Sequence, residues 1–324
     1  MNEIINTQKN REIELTESEF DKSDDSTGRD TTISCSSNQT DACVLLRIQR
    51  HYDYWEKFIF YWLHGLPITD LGWHNPNNIS LLNSLYRQHG PGPDYSSYYL
   101  PEPWWGWRND KSKPLHSVVI NFNPGEGGCA QERWPISQVY VGSYSRDIVS
   151  NPNVLQQTRK WHNNNRAVPI LSALELATKK KDSLIENHIS IELLPWHTVS
   201  ASSNPRYWLY LEQNIKEVFN HCISFAAELS RNIDNKTLNR VVILRMNEEV
   251  TSRLLSLLSS IGIKVINKIN TLQTQNKKGK GKWMQFKIDK YPDVKFVSIW
   301  GTHSRNKFPP QNDLEEIINN IKNI

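Results

Sequence analysis

The sequence predicts an α/β fold, a three-layer αβα sandwich built on a central, mostly parallel sheet. Three observations carry that prediction. From residue 117 onward, short apolar runs alternate with longer stretches of helical periodicity, the order expected of a parallel sheet covered on both faces. Three of the apolar runs pass into polar loops, Asn123-Pro124-Gly125, Pro195-Trp196-His197-Thr198 and Thr302-His303-Ser304-Arg305-Asn306, which a parallel sheet would gather along one edge. At 324 residues the chain is also long enough to bury a substantial core.

Residues 1–44 are rich in Ser, Thr, Asp, Glu and Asn, with scattered apolar residues. Such a composition buries too little surface to offset the entropy of ordering, so a disordered acidic tail is expected. Residues 45–100 are read as a helical, aromatic-rich N-terminal extension packed on the core. Aromatic and aliphatic side chains crowd 45–65, and Gly65-Leu66-Pro67 supplies a helix stop. A loop-rich section follows, with a short helix at about 81–88.

Residues 101–324 are assigned to the α/β domain. Its leading segment, Leu100-Pro101-Glu102-Pro103-Trp104-Trp105-Gly106-Trp107, places Trp among prolines and fits neither a regular helix nor a regular strand. It is either a surface platform or an apolar lid tucked under the next strand, and the lid is the preferred reading. Ser117-Val118-Val119-Ile120 reads as a short buried strand. A polar loop to about residue 152 precedes helices over 154–163 and 169–180, then a strand over 189–194. A long amphipathic helix is expected over 207–231, with Leu209, Ile215, Val218, Phe219, Cys222 and Phe225 at helical spacing. A strand at 240–244, a helix at 248–260 and an apolar run at 262–266 follow. A basic Gly/Lys loop at 277–282 separates these from strands at 283–288 and 294–300, and a helix over 313–324 closes the chain.

Charge is unevenly spread. Residues 1–44 hold ten Asp/Glu and four Lys/Arg, a net of −6; with +4 over the whole chain, residues 45–324 carry +10. A body this basic suits a polyanionic partner, with nucleic acid as the first candidate. No apolar run is long enough to span a bilayer, and the first residues have neither the basic nor the apolar region of a secretory signal. A cytoplasmic monomer without membrane contact is the expectation. Cys35, Cys43, Cys129 and Cys222 include no C-x-x-C pair, so reduced thiols are expected, with neither a metal site nor another cofactor.

The chemistry concentrates in Asn121-Phe122-Asn123-Pro124-Gly125-Glu126-Gly127-Gly128. These residues end an expected strand in a turn where Pro fixes one φ and Gly permits close approach of a ligand to the backbone. The same residues also suit a purely structural strand-to-helix turn. Glu126 is either a second acid/base group or an exposed loop carboxylate, the latter preferred.

Asn123-Pro124-Gly125, together with a closing strand that delivers His303-Ser304-Arg305-Asn306, resembles the uracil-DNA glycosylase superfamily. The match is to the Asn-Pro-Gly loop of its mismatch-specific and single-strand-selective branches. Leu100-Pro101-Glu102-Pro103 and Leu194-Pro195-Trp196-His197-Thr198 are similar to uncharacterised bacterial members, so the resemblance covers about residues 100–324. It implies a uracil-DNA glycosylase-like fold and DNA as partner. It also implies monofunctional hydrolysis of the N-glycosidic bond of a flipped uracil-like or modified base.

By the same resemblance, Asn123 positions the water and His303 stabilises the departing base, although the family's His-Pro-Ser here reads His303-Ser304-Arg305. Phe122, Pro124, Gly125, Trp134, Trp196 and His197 would form the base pocket, with Trp134 a stacking platform. Uracil-specific members carry an Asn after the second strand, where this chain has Pro195-Trp196-His197. His197 is therefore either a base-reading group or a buried histidine bonded to backbone. Ser304, Arg305, Asn306, Lys307 and Phe308 correspond to the loop that grips phosphates and wedges the duplex; Phe308-Pro309-Pro310 could instead cap the last helix.

Two other functions compete. One is a non-catalytic nucleic-acid-binding protein that retains the glycosylase fold. The other uses Gly125-Glu126-Gly127-Gly128 as a phosphate cradle, and it ranks last because the pattern lacks the Lys of a P-loop.

Overall fold

The computed structural model describes residues 41–63, 71, 103–107, 112–122, 163–177, 181–195, 201–203, 205–275, 281–301 and 308–322. In chain order the elements are helix α1 (Asp41–Leu63), strand β1 (Trp104–Gly106), strand β2 (Ser117–Asn121), a π-helical turn (Asn163–Ala167) and helix α2 (Val168–Ala173). A 3-10 turn (Lys181–Asn187) leads into β3 (His188–Glu192). Helices α3 (Pro205–Gln213) and α4 (Ile215–Val218), a second π-helical turn (Phe219–Ile223) and α5 (Ser224–Ser230) follow. The chain continues through β4 (Val241–Leu244), α6 (Glu248–Ser260), β5 (Val265–Ile266), β6 (Leu272–Gln273), β7 (Gly281–Ile288), β8 (Tyr291–Gly301) and α7 (Gln311–Lys322).

The described strands form one sheet ordered β1-β3-β2-β4-β8-β7-β5, with β6 also paired to β7. Its centre, β3-β2-β4-β8, is parallel throughout. Its margins are antiparallel: β1 on β3, and β7 on β8 with β5 and β6 on β7. The fold is thus mixed α/β with a parallel centre and helices on both faces, compatible with three layers.

Strand register divides the sheet into two chemically different faces, because residues paired across strands point the same way. Val118 and Ile120 lie opposite Ile189 and Ile191, and Trp104 lies opposite Ile191. This apolar face packs under α1 and α5, where the Tyr52 ring meets Trp104 at 4.8 Å and Phe225 at 5.2 Å, both edge to face. The Tyr52 hydroxyl, buried with them, donates to the Trp107 carbonyl at 2.5 Å. On the other face Ser117, Val119 and Asn121 lie opposite His188, Ser190 and Glu192. His188 Nδ1 is 2.7 Å from Ser117 Oγ, and its Nε2 is 3.2 Å from Ser190 Oγ. A buried imidazole with both nitrogens occupied is a structural group.

Several expectations need correction. The Trp-rich segment is neither a lid nor a platform: Trp104–Gly106 is an edge strand, and Trp104, Trp105 and Trp107 are all buried. The local composition hid this, because the pairing partner lies far along the chain. The helix expected over 169–180 ends at Ala173. The single helix expected over 207–231 is broken at Asn214, whose side chain bonds back to the Tyr210 carbonyl, and again by the π-helical turn. Leu209, assigned to the buried stripe, is 45% exposed: a residue six positions before Ile215 lies about 120° away from it around a helix, and α3 buries Tyr207, Trp208, Tyr210 and Leu211 instead. The run at 262–266 yields only the two-residue strand β5. By contrast, α6 spans the expected residues: Asn247 Oδ1 accepts the Val250 N–H at 2.9 Å, and Gly262 at φ +85° lies just beyond its end.

Two stability predictions follow from this packing. At Gly106 (φ +112°) an added Cβ would lie 1.9 Å from the His188 carbonyl oxygen. Gly106→Ala should therefore cost roughly 3 kcal/mol or more in urea denaturation; a loss below about 1 kcal/mol would contradict the β1–β3 packing.

The second concerns pH. Burial and the Arg47 charge hold His51 down to about 4, burial and His51 hold His221 to about 3, and burial and Arg166 hold His188 to about 3. These groups stay neutral in the fold but protonate in the unfolded chain below the usual histidine value. Their contribution is complete above pH 6.5 and declines as pH falls toward 4, at about 1.4 kcal/mol per pH unit per histidine. Urea midpoints measured across that window should slope accordingly, and His51→Phe should remove about one proton's worth of slope. A flat profile would refute the assignment.

Candidate functional site

The four parallel strands present their carboxyl ends along one edge. There β2 leaves the sheet through Phe122, β3 through Leu193, Leu194 and Pro195, and β8 after Gly301. The first parallel strand, β2, lies between the second, β3, and the third, β4. Strand order therefore reverses beside β2, and the crevice between the carboxyl ends of β2 and β4 is a topological switch point, the usual ligand position in open α/β sheets.

Beneath this edge lies a buried polar cluster on the same face as Asn121. Asn121 Nδ2 donates to Glu192 Oε1 at 3.1 Å, and Arg166 Nη1, from the π-helical turn, donates to the same oxygen at 2.5 Å. Glu192 is fully buried, Arg166 is 2% exposed and Asn121 4%. Asn121 Oδ1 is buried without a hydrogen-bond partner among the described residues. Arg245, the residue after β4, is held in the extended ladder by its N–H bond to the Ile120 carbonyl at 2.9 Å. Burial and the Arg166 charge bring its guanidinium down to about 10, with Glu192 acting in the opposite direction. It stays protonated at neutral pH. The Phe308 ring lies 5.4 Å from the Arg245 guanidinium carbon, a cation–π contact that brings the approach to α7 onto the cluster.

From the opposite face, the Cys222 thiol donates to the Glu192 carbonyl at 3.3 Å. Burial, aided by the Glu192 charge, raises the thiol well above its ordinary value. Cys222 is therefore an inert packing group rather than a nucleophile. The Arg166 guanidinium and the Glu192 carboxylate thus sit out of water under the carboxyl edge, with the half-buried Arg245 beside them. Electrostatic interactions with charge developing there are stronger than they would be in water.

Of the residues singled out from sequence, Phe122 and Phe308 are described. Phe122 is 8% exposed on the sheet face opposite Asn121, with its ring 5.1 Å from Trp208. Trp208 in turn carries the Arg253 guanidinium at 4.3 Å. Phe308 is half-buried against Arg245. Asn123, Pro124, Gly125, Trp134, Trp196, His197, His303, Ser304, Arg305, Asn306 and Lys307 lie outside the described residues. Glu192, Arg166 and Arg245 were missed from sequence. A carboxylate inside the apolar run Ile189-Ser190-Ile191-Glu192-Leu193-Leu194 was the available signal, since charged residues are seldom fully buried without a partner. Arg166 follows a run of Asn and gave none. Among the described residues, no group of His, Cys, Asp or Glu could hold a metal ion, and no helix is long and apolar enough to cross a membrane.

The cluster yields a stability prediction. Glu192→Gln removes the countercharge of a buried guanidinium and should cost about 3 kcal/mol. The pair Arg166→Met/Glu192→Leu should cost less than the sum of its single substitutions, because the double change leaves neither charge stranded. Simple additivity in urea denaturation would show that the two side chains do not act as a pair.

No family model matches the chain, and no curated protein or solved structure matches it either.

Proposed function

We propose that the protein is a DNA glycosylase with a uracil-DNA glycosylase-like fold, hydrolysing the N-glycosidic bond of a flipped uracil-like or modified base. The observation that carries this reading is the switch point. Asn123-Pro124-Gly125 begins two residues beyond Asn121, at the carboxyl end of the first parallel strand, beside the place where strand order reverses. The segments holding His197 and His303 follow strands parallel to it, so all three start from one edge.

Base removal proceeds through an oxocarbenium-like sugar, as in glycoside hydrolysis, while the departing base takes up negative charge. In this proposal Asn123 holds the water against the anomeric carbon. An amide is a weak base, so catalysis depends on orientation and on stabilising the leaving group. His303 would donate to the departing base. Beneath the same edge, the half-buried Arg245 and the buried Arg166–Glu192 pair leave a net positive charge close to where negative charge would develop. The +10 carried by residues 45–324 suits a phosphodiester partner. Extrusion of the base costs a few kcal/mol, which Arg305, Asn306 and Phe308 would offset as the wedge.

The test is single-turnover cleavage of labelled oligonucleotides carrying uracil, mismatched thymine or modified cytosines, followed by alkali. Strand breaks are expected at one of these bases, with Asn123→Ala and His303→Ala each lowering the rate about a hundredfold or more. If none is cleaved and Asn123→Ala binds DNA as tightly as the unaltered protein, the non-catalytic DNA-binding reading replaces this one.

A further inference from the structure

The opposite edge of the sheet carries a second feature, unrelated to the carboxyl-edge loops. The amino ends of β4 and β8, the turn before β4 and the last turn of α7 enclose a cleft of about 400 Å³. Lys236, Arg240 and Lys295 line it, with Thr237, Asp293 and Ile321. The turn is firmly built. Asn235 Oδ1 accepts the Thr237 N–H at 2.9 Å, and Asn239 Nδ2 donates to the Ile233 carbonyl at 2.8 Å. Arg240 then adopts φ +59°, left-handed backbone that a residue with a Cβ seldom takes. Its N–H is bonded to the Ser230 carbonyl and its own carbonyl accepts the Lys295 N–H, both at 2.8 Å. Strained backbone held on both sides is characteristic of sites that aim a side chain.

The cleft's charge is predominantly positive, with Lys236, Arg240 and Lys295 against Asp293. Its carboxylate, Asp293, is held by Arg231 through two hydrogen bonds, Nη2 to Oδ1 at 2.7 Å and Nε to Oδ2 at 3.0 Å. Burial would raise Asp293, but the Arg231 bonds and charge outweigh it and the carboxyl is held low, as an anion. Arg240 makes a looser ion pair with the same carboxylate, Nε to Oδ2 at 3.8 Å and too long for a hydrogen bond, and the Arg240 side chain is 57% exposed. Lys295 is lowered chiefly by burial, with the neighbouring Lys287 charge acting in the same direction.

We propose that this cleft binds the phosphate group of a small soluble phosphomonoester. A guanidinium fork with two ammonium groups and the Thr237 hydroxyl offers the donors that a phosphate dianion needs. Ile321 adds an apolar wall for an organic moiety, and the volume falls in the range of small-molecule sites. The site is separate from DNA held at the carboxyl edge. Lys295 precedes Gly301 by six residues on β8, so roughly 20 Å of strand lies between the two edges.

The test is calorimetric titration of the full chain, at constant ionic strength, with inorganic phosphate, a nucleoside 5′-monophosphate and a short DNA duplex. Saturable binding of the monophosphate is expected with Kd below about 1 mM, tighter than inorganic phosphate. Arg240→Gln/Lys295→Gln should weaken it about tenfold or more. The exposed Lys236→Gln should weaken it to a smaller degree, and a melting curve checks that each variant is folded. Asn123→Ala should leave it unchanged, so the result is independent of glycosylase activity. The proposal is overturned if neither small ligand saturates by about 10 mM, or if folded variants bind as tightly as the unaltered protein. It is equally overturned if the duplex alone binds through Arg240 and Lys295.

Discussion

One buried carboxylate holds the carboxyl edge of the sheet together. Glu192 closes β3, receives the amide of Asn121 from β2 and the guanidinium of Arg166 from the segment covering the sheet. Its backbone carbonyl receives the Cys222 thiol from the opposite layer. A carboxylate taken fully out of water is tolerable only when its partners are exact in position, so Glu192 makes the alignment of two strands and two layers interdependent.

The two sheet faces divide the labour. One face is apolar, packed with Val, Ile and Trp under α1 and α5, and its burial stabilises the fold. The other carries Ser117, His188, Ser190, Asn121 and Glu192 in register, a stripe whose members bond to one another. Such a stripe stabilises less than an apolar face of equal area but specifies register strongly, because a slip of one residue would bury every polar group among aliphatic side chains. The amino edge, with Lys236, Arg240 and Lys295, is held apart from Asn121 and Glu192 by the length of the strands.

Much of the fold was legible because its signals are local. Val241 to Leu244 is an unbroken apolar run, Trp283 to Ile288 is apolar or aromatic except at Gln285 and Lys287, and α6 carries its own cap in Asn247 and its own stop in Gly262. Trp104–Gly106 was not legible as a strand, since only pairing with Ile189 to Ile191 makes it one. Nor was the break at Asn214 legible, because Leu211, Ile215, Val218, Cys222 and Phe225 keep helical spacing across it.

The sequence by itself determined the alternation of strands and helices, the basic body and the polar segments that end the strands. All of these depend on side chains near one another in the chain. Tertiary structure alone decided which strand lies beside which, and hence the switch point next to β2. It alone brought Arg166, Glu192, Asn121 and Arg245, spread over 125 positions of sequence, under a single edge. Pairing and burial depend on contacts that no stretch of sequence contains, and the chemistry of this edge is made from those contacts.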